Sequence, residues 1–423
     1  MAETPPFPRF TVPAVTAAIF ASLYALHAFG QETLYQAILS HWGIVPFNFP
    51  FVDIHGVLSA IQCGREGIDV YLTNSCDVLG RVFFYSPLLL WGEVLPLDTG
   101  ATQIAGLAVD FLFFGALFCL PAPRRLGDGV LMLLATLSTM TVFAVERANI
   151  DLVVFAFAAF GGALLLRPGR ARLAGYALFV VAALTKFYPA ALLFVTLRER
   201  PRLFIAVNAA AVALLALFVA AYHVELAAAV AHVPHGVYFG DMFGAANLPY
   251  GLAVVAPGFP ARPAMVALAI MAAAGAAAIG RSDAARSALA ELPPRDKVFL
   301  LIGGCLMVGC FFAGDSIGYR GVHLIFVLPG LIVLARADSR LRLLFAATAG
   351  LVLFLMWGEL FRHAVVNARP GALFAFWLGR ELAWWMAMSI LGGLLLGFAL
   401  DSMSGRLLPP LAAGPADAAR KSL

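Results

Sequence analysis

Lys186 stands alone among the apolar residues of LAGYALFVVAALTKFYPAALLFVTL, the stretch from 173 to 197. A lone lysine in such a stretch either snorkels to an interface or holds an anion. Phe187-Tyr188-Pro189 follows it. Proline removes a backbone donor and disfavours helix in the residue before it, so the helix opens here. The freed backbone groups can then line a cavity. Tyr319-Arg320, followed by His323, offers a similar arrangement at the end of another apolar span. Arginine suits phosphate because its planar fork donates two parallel hydrogen bonds. Lysine, arginine and histidine converging on one face point to a monophosphate or diphosphate ligand, with snorkelling anchors as the rival reading.

The acidic residues carry the complementary chemistry. Glu146-Arg147-Ala148-Asn149 joins two apolar spans, and Asp151 lies just inside the second. A hairpin needs polar residues, but this one holds more charge than a turn requires. Ionisable residues at span ends that face a cavity are functional candidates. The candidate phosphate-binding set is therefore Arg147, Lys186, Arg320 and His323. Asp53 follows the aromatic and proline run from Phe47 to Phe51, with His55 two positions on. It can cap a helix or act as a general base that takes a proton from a hydroxyl. The residues themselves leave both open. Asp69 and Asp77, with Asn74-Ser75 between them, read as turn and loop residues. His55, Glu146, Asn149, Tyr188 and Tyr319 are the candidate substrate contacts.

These residues need a membrane scaffold. The chain has 423 residues, 62% hydrophobic and only 12% charged, with mean hydropathy +0.91. Repeated apolar stretches of about twenty residues mark a polytopic α-helical membrane protein. Spans are expected near 11–30, 101–120, 128–145, 150–166, 203–222, 263–280, 298–313, 321–335, 341–359 and 379–400. The 173–197 stretch is flanked on both sides by basic loops, Arg167 to Arg172 and Arg198 to Arg202. Cytoplasmic loops carry the excess of Lys and Arg. The two flanks predict short half-helices that enter and return, broken at Lys186–Pro189.

With the N-terminus inside, nineteen of the 28 Lys and Arg fall on the inner side, leaving nine outside. Segments 1–10 and 401–423 are then cytoplasmic. The outer side collects a first loop (31–100), the 146–149 turn, the Lys186 tip, a second loop (223–262), and segments 314–320 and 362–377. The first loop is too polar for lipid. Its Tyr71, Phe83, Phe84 and Tyr85, spaced among the charges, predict an ordered structure. No linker or internal repeat divides the chain, so 1–423 is read as a single membrane domain. The N-terminus lacks a basic n-region and a small-residue cleavage site, so the first span is expected to stay as an anchor. Cys119, Cys305 and Cys310 fall in apolar spans and read as core residues. Cys63 and Cys76 share the first loop and could pair if it faces an oxidising compartment. No basic patch interleaved with aromatics speaks for nucleic acid. There is no Walker-type loop, H-E-x-x-H, G-x-S-x-G or paired Cys/His cluster.

Taken in order, the outer-loop aspartate, Glu-Arg-Ala-Asn-Ile-Asp, Thr-Lys-Phe-Tyr-Pro-Ala and Tyr-Arg-x-x-His-Leu resemble the integral-membrane glycosyltransferases of the GT-C class. Within that class the pattern is similar to family 87, the polyprenol-phosphate-mannose-dependent α-mannosyltransferase type. The family's R-G-N-like turn, K-x-Y-P break and outer-loop aspartate appear here as Arg147-Ala148-Asn149, Lys186-Phe187-Tyr188-Pro189 and Asp53. Ala148 stands where the family has glycine. The resemblance runs from about residue 45 to 395. It implies a GT-C-like bundle of about 10–12 transmembrane helices in the bacterial inner membrane, with its site on the periplasmic face. It also implies an inverting transfer of a hexose, mannose by resemblance, from a polyprenyl-phosphate donor to a lipid or glycan acceptor. Asp53 would be the base. No cofactor is called for, although the pattern leaves room for one aspartate-bound divalent ion. The rival reading is a transporter or flippase of a lipid-linked saccharide. Transporters commonly show internal repeats and midplane sites, whereas this chain shows no repeat and gathers its ionisable residues at one face. A non-catalytic partner in a cell-envelope assembly is a third, weaker reading.

Overall fold

The computed structural model describes residues 8–234, 236–368 and 370–403, so the expectations for 1–7 and 404–423 fall outside the described residues. The protein is all-α and polytopic, with only one two-stranded ribbon among the described residues. The chain opens with α1 (Thr11–Ala28), α2 (Glu32–His41), α3 (Val52–Arg65) and α4 (Thr102–Leu117). Next come α5 (Leu126–Thr136), α6 (Thr139–Glu146), α7 (Ile150–Leu165) and α8 (Ala171–Thr185), followed by a 3-10 helix over Tyr188–Arg198. The third group is α9 (Pro201–Ala221), α10 (His223–Ala231), β1 (Met242–Phe243), α11 (Asn247–Val255), α12 (Ala261–Arg281) and α13 (Asp283–Glu291). The chain then runs through α14 (Pro294–Ala313), β2 (Ser316–Ile317), α15 (Leu324–Leu334), α16 (Arg342–Met356), α17 (Gly358–Ala368) and α18 (Leu373–Met403).

Among the described residues, six helices are long and apolar enough to cross a bilayer: α1, α4, α9, α12, α14 and α18. The α4 crossing includes the 3-10 turn before it. Two bent pairs, α5–α6 at 48° and α16–α17 at 63°, raise the number to eight. This is fewer than the ten or more expected. The stretches near 150–166 and 321–335 are apolar but form helices of 10–17 residues, short of the ~20 that a bilayer needs. Hydropathy responds to apolar content, and an interior helix packed all round by protein is as apolar as one in lipid. Indeed α15 is buried along nearly its whole length. By contrast α9 and α12 leave most of their surface uncovered, with Ile205, Leu217, Ile270 and Met271 on the outside. Those are the faces suited to lipid.

Small residues allow close helix contacts where hydrophobicity gives no preference between lipid and protein. A Cβ added to Gly161 on α7 would lie 3.0 Å from Gly175 O on α8, and one on Gly175 would lie 2.8 Å from Gly161 O. Only glycine at both positions permits this approach. The break between α5 and α6 is likewise resolved chemically. Trp42 donates its indole N–H to Leu137 O, and Trp357 donates to Leu134 O, both at 2.9 Å. Ser138 caps α6, its hydroxyl accepting from Thr141 N. The carbonyls freed by the bend are thus satisfied by side chains.

The 173–197 stretch does turn back on itself. Arg172, at the start of α8, pairs with Glu199 at 2.8 Å, and Tyr176 donates to the same carboxylate at 2.9 Å. Glu199 directly follows the 3-10 helix, so the two open ends of the hairpin meet and Lys186 occupies the tip.

Both long loops carry defined structure in their described residues. In the first, Phe51, Val57, Val70, Tyr71, Phe83 and Tyr85 form a hydrophobic cluster of their own. Cys63 and Cys76 are joined by a disulfide. With Glu66 they are the one close Cys/acid group among the described residues, and the bonded sulfurs leave no thiolate for a metal. Both cysteines should resist alkylation in unreduced protein and label after reduction, as read by intact mass. Closing a loop of this size is worth about 3 kcal/mol, so Cys63→Ser should lower stability by that order. Free labelling before reduction would mean two separate thiols. In the second loop, β1 pairs antiparallel with β2, Met242 opposite Ile317 and Phe243 opposite Ser316. Buried Arg380 on α18 ion-pairs with Glu359 at 2.6 Å and Glu381 at 3.0 Å. It also donates to Gly240 O at 2.6 Å, tying this ribbon to the helices below.

Candidate functional site

The site is built where three chain reversals meet. α6 ends in the Arg147–Asn149 turn, with Ala148 in the left-handed region at φ 45°. That region is permissive for glycine, and here an alanine adopts it at some cost. Asn149 then caps α7, its Oδ1 accepting from Asp151 N at 2.8 Å. Capping commits the amide oxygen, so the amide N–H group must point the other way. It donates to Asp53 Oδ2 at 2.6 Å.

α3 is bolted to the same turn. Phe51, itself left-handed at φ 68°, donates its N–H to Glu146 O at 2.7 Å, and Asp53 N donates to Arg147 O at 3.1 Å. Phe51 is the N-cap of α3 and makes no side-chain cap. The Asp53 carboxylate therefore is not the helix cap that its position allowed. It faces Asn149 on one oxygen, and on the other Arg81 at 3.5 Å. Arg81 is held by Asp77 through Nε at 2.7 Å and donates to Val52 O at 2.7 Å. Asp77 is thus more than a turn residue, because it positions the cation beside Asp53.

The second half forms around Asp151, which is fully buried. Lys186, in extended backbone at the end of α8, places Nζ 2.9 Å from Asp151 Oδ1 and 3.4 Å from Asn149 Oδ1. Tyr188 donates its hydroxyl to Asp151 Oδ1 at 2.6 Å, and the same hydroxyl lies 2.7 Å from His323 Nε2. With the phenol proton on Asp151, His323 Nε2 must be the protonated nitrogen that donates to Tyr188. The Arg320 guanidinium lies 5.2 Å from the Tyr188 ring centre. One carboxylate thereby organises a lysine, a tyrosine and, through the tyrosine, a histidine and an arginine.

A cavity of about 250 Å³ opens on this cluster. Its polar lining includes Lys186, Tyr188, Tyr319, Arg320 and Ser316, with the acidic Asp315 beside them. Leu226, Ala229, Val230 and Val233 from α10 and its following turn form an apolar side, with Phe187. Val230 and Phe187 are 65% and 40% exposed, so this wall continues onto the apolar outer surface. His323 sits behind Tyr188, and Asn149 behind Lys186. Asp53 does not line the cavity. It borders a much smaller space of about 10 Å³, and Phe84 and Tyr85 line both.

Three sequence-derived candidates lie elsewhere. Arg147 turns away from the cations, packing on Phe47 at 4.0 Å and Phe143 at 4.8 Å. Its Nε pairs with Glu146 at 2.7 Å and Nη2 donates to Val45 O at 3.2 Å. Neither Arg147 nor Glu146 reaches the cavity. What the turn contributes is backbone carbonyls for α3. His55 bonds Thr102 through Nδ1 at 2.9 Å and packs on the edge of Phe49, so it joins α3 to α4. Burial pushes its imidazole below the ordinary value, against the pull of Asp77. Asp151 was visible in the sequence as an extra charge at a span start. The lysine that gives it a role is 35 positions further on. Neither family models, nor curated proteins, nor solved structures match this chain.

Proposed function

We propose that this protein is an integral-membrane glycosyltransferase of GT-C-like architecture. It would move a hexose from a polyprenyl-phosphate donor to a lipid or glycan acceptor at the outer face of the inner membrane. The observation that carries this reading is the two-sided cavity. Lys186 and Arg320 face it from one side, and from the other an apolar wall runs out to the lipid-facing surface. A phosphate joined to a long hydrocarbon chain matches both sides. Arg147, which the sequence motif placed with these cations, is left out of the phosphate site.

The reaction follows as an inverting single displacement. An acceptor hydroxyl forms the new C–O bond at the anomeric carbon and gives its proton to Asp53. The bond from that carbon to the phosphate oxygen breaks, and its electron pair leaves with the polyprenyl phosphate. Lys186 and Arg320 stabilise that departing charge, which is where fixed cations act most strongly. Asn149 sets the geometry, since it touches both Asp53 and Lys186. Arg81, held by Asp77, keeps the base oriented. The hairpin of α8 and the 3-10 helix acts as a re-entrant pair with Lys186 at its tip. The disulfide in the first loop supports an oxidising outer compartment for this end, as does the distribution of Lys and Arg along the chain.

Binding of a short-chain polyprenyl phosphate to the protein in nanodiscs tests the phosphate site. A charge-assisted bond is worth roughly 1.5–3 kcal/mol, so Lys186→Ala and Arg320→Ala should each weaken binding by about 10- to 100-fold. Arg147→Ala should bind like the parent. Equal losses in all three would remove the assignment of Lys186 and Arg320.

A further inference from the structure

If the phosphate of a donor rests on Lys186 and Arg320 and the acceptor hydroxyl meets Asp53, the sugar must lie between them. This inference therefore rests on the reading above. Of Phe84 and Tyr85, which line both the 250 Å³ cavity and the small space at Asp53, Tyr85 is the one with a polar group. Its ring centre is 5.5 Å from Lys186 Nζ. Its hydroxyl is buried and has no hydrogen-bond partner, although the residue is only 6% exposed. A buried hydroxyl without a partner is destabilising, and such an exception calls for an explanation.

The backbone around Tyr85 is fixed, which makes the free hydroxyl the more telling. Tyr71 donates its hydroxyl to Tyr85 O at 3.2 Å. Ser86 caps the short 3-10 helix Pro87–Val94, accepting from Leu88 N at 3.3 Å. Phe84 packs on the Tyr85 ring at 4.5 Å. Burial, with the nearby Asp53 charge, pushes the phenol well above its ordinary value, so the hydroxyl stays a donor. An aromatic face with one polar tip matches a hexose, which presents C–H groups on its faces and hydroxyls around its rim.

We propose that Tyr85 contacts the donor's hexose, its hydroxyl bonding a sugar hydroxyl and its ring holding the sugar between the phosphate cations and Asp53. Tyr85→Phe removes only the oxygen. Two probes separate its role: a short-chain polyprenyl phosphate without sugar, and the same lipid carrying mannose or glucose. Binding of the sugarless lipid to Tyr85→Phe should equal the parent's, which also shows that the variant is folded. Binding of the sugar-bearing lipid that the parent prefers should fall by about two- to ten-fold, the range of one neutral hydrogen bond. Equal binding of both probes by parent and variant would overturn the assignment and leave the phosphate site standing. So would a parallel loss for both probes, which marks a structural role. A parent that binds neither lipid would refute the enzyme reading and this inference with it.

Discussion

Asp53→Asn is expected to lower transfer by about 10²–10⁴-fold, the range for loss of a positioned general base, with donor binding nearly unchanged. The substitution keeps the size of the side chain, and its oxygen can still accept from Asn149, which sits 2.6 Å from the carboxylate. α3 should stay in place, because its attachment runs through backbone bonds from Phe51 and Asp53 to Glu146 and Arg147. The loss should therefore appear in kcat and not in the affinity for the lipid. Normal turnover by a folded Asp53→Asn protein would place the base elsewhere.

Asp151→Asn is the second large effect, and it acts on the donor side. Asp151 is the counter-ion of Lys186 at 2.9 Å and the acceptor for Tyr188 at 2.6 Å. Removing one partner of a buried pair leaves the other charge uncompensated, a loss of about 3–5 kcal/mol. The single variant should melt far below the parent. The double variant Asp151→Asn/Lys186→Met should recover much of that stability, since no lysine is left without its counter-ion, yet still bind polyprenyl phosphate poorly. The two effects form a double-mutant cycle with a large coupling term. Simple additivity would show that the ion pair is not what positions Lys186.

The outline of this arrangement was legible in the chain, and its wiring less so. The break at Lys186–Pro189 follows from proline chemistry, and the return of α8 and the 3-10 helix from their two basic flanks. The meeting of Arg172 with Glu199 shows that return. An ordered first loop could be expected from aromatics spaced among charges, and those aromatics do form a cluster. The described residues hold six to eight helices long and apolar enough to cross, below the number that hydropathy suggests, because α7 and α15 are shorter helices that are apolar through burial against protein. Arg147 looked like a phosphate ligand by motif position, but its direction is set by Phe47 and Val45, about a hundred positions earlier. Tyr85 and Asp151 could be seen in the sequence, but their roles were hidden for the same reason. Local patterning shows a residue's type and face, while its partners come from segments that meet only in the folded chain.

The central claim is a transfer reaction, and proteoliposomes containing the purified protein test it most directly. They would be given polyprenyl phosphates carrying different radiolabelled hexoses, together with an extract of membrane lipids and glycans as acceptors. The expected result is label passing from one donor to an acceptor, lost in Asp53→Asn and sharply reduced in Lys186→Ala. Label that crosses the bilayer still attached to its polyprenyl phosphate, with no product formed, would contradict it and make the protein a carrier of lipid-linked sugar.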